Sequence, residues 1–103
     1  MLVLLKVTYP PSSAKKMIDV FMSPQTPKRS EAAKEIATFT YGDNEGYHGL
    51  VILDVEDGNF TDFLKAQTAR NAYMQSRVEG LRADVIPGLS VMDAIAVVSK
   101  QLS

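Results

Sequence analysis

Hydrophobic positions along the chain change period several times, and each change marks an element. Residues 2–9, LVLLKVTY, are a nearly unbroken apolar run that stops at Pro10-Pro11, where no ladder hydrogen bond can be donated. They predict a first strand. From Ala14 the period becomes helical: Ala14, Met17, Ile18, Phe21 and Met22 share a stripe, while Lys15, Lys16 and Asp19 lie off it. Ser12 or Ser13 is the predicted cap, and Pro24 and Pro27 end the helix near Ser23. Residues 24–32 are a polar loop with room for one helical turn. A second strand is predicted from Lys34 to Tyr41 and a third from Tyr47 to Val55. GDNEG between them should form a hairpin loop longer than the minimal type. Asn59, with Asp62 three residues on, should cap a helix over 60–78 that stops at Gly80. Residues 82–87 predict a fourth strand. Ser90 with Asp93 should start a last helix carrying Val91, Ile95, Val98 and Leu102 on one stripe.

The order β-α-β-β-α-β with a C-terminal helix predicts an α+β fold, the ferredoxin-like arrangement, as one domain over residues 1–103. Two helices then cover one face of a four-stranded antiparallel sheet. Yet both faces read as apolar. In the first strand Leu2 and Leu4 oppose Val3, Leu5 and Val7; in the third, Leu50 and Ile52 oppose Val51, Leu53 and Val55. A half-exposed antiparallel sheet should alternate apolar and polar residues. A second copy packed sheet against sheet would cover the other face, so a homodimer through that face is expected.

Composition narrows the function classes. Apolar residues make up 46% and charged residues 22% of the chain, a globular rather than disordered balance. The formal charge of −1 gives no general attraction to nucleic acid or to an anionic membrane. The stretch Glu45-Gly46-Tyr47-His48-Gly49-Leu50-Val51 approaches an RNA-recognition strand motif, but Glu45 has the wrong charge and Leu50 replaces a stacking aromatic. With no cysteine there is no disulfide framework, thiolate catalysis or Cys-ligated metal, and one histidine excludes a multi-histidine site within one chain. No apolar run approaches the roughly 18 residues of a membrane span. The start, MLVLLKVTYPP, reads as a strand rather than a leader, so the expected location is the cytoplasm.

LVLLKVTYPP, an amphipathic helix, TFTYGDNEGYHGLVILDVED and a second amphipathic helix together resemble the dimeric α/β-barrel superfamily. Muconolactone isomerase and small members without assigned activity come nearest, through a rhythm of strand, Gly turn, strand ending in Asp-Val, then helix. Gly42, Tyr47 and Asp54-Val55 carry that rhythm here. The resemblance spans the chain in order and length. It implies a dimeric barrel with a small molecule or haem held between sheet and helices. It leaves the chemistry open, since such folds host cofactor-free monooxygenases, isomerases and haem-handling proteins. A lone histidine on a hairpin and the lack of Trp argue against the haem-degrading branch, and no cofactor is expected.

The candidate chemistry sits in two places. His48 is the candidate catalytic base, with Asp43, Glu45 and Asp54 near it in sequence. Asp43-Asn44-Glu45 reads as a solvated turn, lacking the periodic ligands of an EF-hand, and no metal site is expected. In the second long helix, Gln67 and Asn71 fall in the middle of the stripe made by Phe60, Phe63, Leu64, Met74 and Val78, with Arg70, Tyr73 and Arg77 at its margin. Buried amides need partners, so the stripe implies either an internal polar network or a pocket against the sheet. Gln67, Asn71 and Arg70 are then candidate ligand-binding residues, with Tyr9, Tyr41, Tyr47 and His48 as candidates for the opposite wall. Arg70 and Arg77, seven apart, suit a carboxylate or surface ion pairs, whereas Arg29 beside Lys28 reads as a loop charge. The methionines read as gap-filling core. Two functions fit: a small-molecule-binding dimer acting as a cofactor-free isomerase or monooxygenase-like enzyme, or a non-catalytic accessory or sensory dimer.

Overall fold

The computed structural model describes residues 1–103. β1 (Leu2–Tyr9) gives way to a 3₁₀ turn, Pro11–Ser13, and α1 (Ala14–Met22). β2 (Ala33–Asp43), β3 (Gly46–Val55), α2 (Phe60–Arg77), β4 (Arg82–Gly88) and α3 (Val91–Leu102) follow. The four strands form one antiparallel sheet in the order β2-β3-β1-β4. This α+β architecture, with three helices, is compatible with a ferredoxin-like fold. No helix is long and apolar enough to cross a membrane.

Local chemistry departs from expectation at three points. Asp43 pairs with Gly46, so the hairpin turns on Asn44-Glu45 alone, tighter than the predicted loop. Asp43 Oδ1 accepts from the Glu45 amide at 2.8 Å, and Gly46 adopts φ +128°, a conformation closed to most L-residues. A Cβ at Gly46 would also collide with the Tyr9 carbonyl oxygen. Ser13 does not cap α1; its hydroxyl donates to the Glu79 carbonyl 2.6 Å away, tying the start of α1 to the end of α2. Asn59 does not cap α2 either, because its amide donates to Glu56. Ser90 does cap α3, accepting from the Asp93 amide at 3.1 Å.

Register fixes the faces. Val3 opposes Leu53, Leu5 opposes Val51 and Val7 opposes Gly49 on the face covered by α1 and α2. Leu4 opposes Ile52 and Ile86, and Phe39 opposes Leu50, on the other face. The covered face holds two separate apolar clusters. One gathers Val3, Leu5, Leu53, Val55 and Phe63; the other gathers Met17, Val20, Met74, Val78 and Leu81.

The opposite face is open. Phe39, Ile52 and Ile86 are exposed there, and α3 buries none of its residues. The chain is correspondingly extended. Its radius of gyration is 15.6 Å, against about 12.8 Å for a compact domain of this length. Its accessible surface is 7134 Å², against roughly 5,700 Å² for a folded monomer of this mass.

Candidate functional site

α2 is built so that its inward stripe changes chemistry along its length. Phe63 enters one apolar cluster and Met74 the other, while Gln67 and Asn71 face the space between. That space is a cavity of about 500 Å³ between sheet and helices. Leu5, Val7 and Val51 floor it, Met17 and Phe21 of α1 and Met74 of α2 wall it. This is the size and apolar character of a small-molecule site.

Its polar groups are incompletely satisfied. Gln67 is 3% exposed. Its Nε2 donates to Asn71 Oδ1 at 2.8 Å, one turn along α2, and its Oε1 has no partner. Arg70 donates to the Pro27 carbonyl at 2.8 Å, and its guanidinium lies 5.9 Å from the Phe21 ring centroid. Burial, and then the nearby positive charge of Arg29, pull the Arg70 pKa below its ordinary value. Arg29 also lines the cavity, with a buried Nε lacking any partner and an NH1 3.6 Å from the Glu35 carboxylate. Glu35, Thr38 and Thr40 bring the polar side of β2 to the same space.

The predicted residues therefore divide. Gln67, Asn71, Arg70, Tyr9 and His48 line the cavity. Tyr47 packs beside Tyr9 with ring centroids 5.7 Å apart, at the rim of the covered face, and is half-exposed. Arg77 stacks on Tyr73 at 3.6 Å and does not reach the cavity, so it does not pair with Arg70. The second guanidinium is Arg29, a loop residue that does more than carry surface charge. Nothing in its spacing marks it; the fold of the 23–32 loop brings it in.

The His48 ring and Tyr41 take a different place. His48 opposes Thr8 in the ladder, and alternation sends both side chains to the open face, away from Val7 and Gly49. The imidazole is 2% exposed. Its Nδ1 lies 2.9 Å from Thr8 Oγ1, its Nε2 2.8 Å from Asp43 Oδ1, and the Tyr41 ring stacks on it at 4.6 Å. The ring thus links Asp43 to Thr8 through its two nitrogens, an Asp–His–Thr chain of hydrogen bonds. The bond from His48, followed by that from the Glu45 amide, holds the Asp43 carboxyl below its ordinary value. Asp43, Glu45 and His48 also bring ligand atoms within 4.8 Å of one another, but a cation there would have to displace the Nε2–Asp43 bond.

Compared with known proteins, the chain matches no family model, no curated protein and no solved structure.

Proposed function

We propose that this chain is the protomer of a small-molecule-binding homodimer of the dimeric α/β-barrel kind, with the ligand seated between α2 and the sheet. The observation that carries the reading is the buried, unpartnered Oε1 of Gln67 facing a cavity of about 500 Å³. An orphaned acceptor costs roughly 1–3 kcal/mol, and a packed core would have removed it. A ligand that meets it explains both the cavity and the polar residue. The dimer is supported by the open face. The surface excess of about 1,400 Å² over a folded monomer is ample for a standard interface, which takes about 800 Å² per partner. Phe39, Ile52 and Ile86 supply the apolar centre of such an interface.

A second reading, a non-catalytic sensory or accessory dimer, is favoured by the position of His48. His48 borders the cavity, but both of its ring nitrogens are already engaged, one with Thr8 and one with Asp43. Both readings share the dimer and the bound molecule; they differ in whether the ligand is changed.

Native mass spectrometry of the protein as purified tests the common core. The expected result is a dimer, with any added mass identifying the ligand. A bare monomer persisting at micromolar concentration would overturn the sheet-to-sheet dimer.

A further inference from the structure

We infer that the cavity takes an organic carboxylate on a compact apolar ring bearing a hydroxyl, held by Arg29 and Arg70 at its acid end and by Gln67 at its hydroxyl. The inference rests on the cavity being a binding site, and names what it binds.

Charge comes first. Two arginines, Arg29 and Arg70, and two acidic residues, Glu35 and Asp84, line the cavity; of the two acids only Glu35 pairs with a guanidinium, at 3.6 Å from Arg29. The pair is incomplete, because Arg29 Nε stays buried and unpartnered. Holding two cations together in a partly buried space is unfavourable, as the lowered Arg70 pKa reflects. One added negative charge relieves both the repulsion and the orphaned donor. A carboxylate suits a guanidinium because its two oxygens match the planar fork.

Beside the hydroxyls of Thr38 and Thr40 on β2, the remaining surface is largely apolar and sets the rest of the ligand. Leu5, Val7, Met17, Phe21, Val51 and Met74 offer apolar and aromatic contact but no hydrogen bond from their side chains. The ligand body facing them is therefore apolar, and a second polar group is best placed at the free end of the Gln67 amide, the buried side-chain acceptor without a partner. A hydroxyl does so by donating to Oε1. Gln67 and Arg70 are three residues apart, about 4.5 Å along the helix axis, so both groups fit on a single six-membered ring.

3-Hydroxybenzoate, its methyl ester and benzoate are suitable probes for the full-length chain. Affinity is read by calorimetry, and occupancy by the methyl resonances of Met17 and Met74. The acid is expected to shift both methyls and to bind about tenfold or more tighter than the ester, with benzoate weaker than the hydroxylated acid. Arg29→Met should lose about tenfold or more in affinity for the acid and little for the ester. Arg70 also holds Pro27, so Arg70→Lys is the better second variant: it keeps the charge, loses the planar fork and should weaken the acid alone. Arg77→Met is the control and should change nothing. An ester binding as tightly as the acid, or Arg29→Met keeping full affinity, would overturn the carboxylate assignment while the methyl shifts still mark a binding cavity. Methyls unmoved by any probe would overturn the assignment and the cavity reading together.

Discussion

The Gln67 side chain donates to Asn71 one turn along α2, at 2.8 Å, and leaves its own carbonyl oxygen buried without a partner. The arrangement sacrifices stability in the empty protein. Gln67→Leu removes the orphaned acceptor and adds apolar surface to a wall shared with Phe63 and Met74. Asn71 is only partly buried, so water can replace its lost donor. Recovery of about 1 kcal/mol is expected, seen as a higher urea midpoint at unchanged slope. Carboxylate binding should weaken in the same variant, the usual exchange of function for stability. A lower midpoint would mean that the amide is structural.

Much of this arrangement is legible in the sequence, and the exceptions have physical causes. Element order follows from Pro10-Pro11, the glycine turns and the helical stripes. Gln67 and Asn71 stand out because they interrupt a stripe, a purely local signal. The direction of His48 is not local. It depends on the β1–β3 register, and the tight Asn44-Glu45 turn sets where the hairpin begins. Arg29 is the clearest omission, since a loop residue acquires its neighbours only when the chain between α1 and β2 folds back. The polar wall of β2 was half visible: Thr38 and Thr40 alternate with Phe39 and Tyr41, but alternation alone does not say which set faces the helices. An irregularity at Ile36 obscures the pattern further.

Ile52 lies on the open face beside Leu4 and is 40% exposed. An aspartate there would carry a charge into the centre of the proposed interface at little cost to a free monomer. Ile52→Asp is expected to convert the dimer to monomer in analytical ultracentrifugation, with the far-UV circular dichroism unchanged. A dimer that persists would place the interface elsewhere.

Asp43 should give the fold a defined acid sensitivity. Its carboxyl is held below the ordinary value of 3.8, chiefly by the bond from His48 and next by the Glu45 amide. A depressed folded pKa stabilises the native state above the unfolded value, and that contribution disappears as pH falls through the folded value. Asp43→Asn should therefore be less stable than the parent at neutral pH, and the gap should close as pH drops below about 4. Urea titrations across that range measure it; a gap constant with pH would show that Asp43 does not titrate through this bond.

His48 is the point where a catalytic and an architectural role give opposite results. The ring fills a buried position between Tyr41 and Thr8, and its two nitrogens tie β1 to the hairpin turn. His48→Ala removes that packing and leaves Thr8 buried without its partner, at an expected cost of about 2–4 kcal/mol in chemical denaturation. Both ring nitrogens are engaged by Thr8 and Asp43 rather than free for a ligand, so carboxylate affinity measured well below the unfolding transition should change less than about twofold, an energy difference under about 0.5 kcal/mol. Loss of affinity with stability intact would instead connect the imidazole to the ligand.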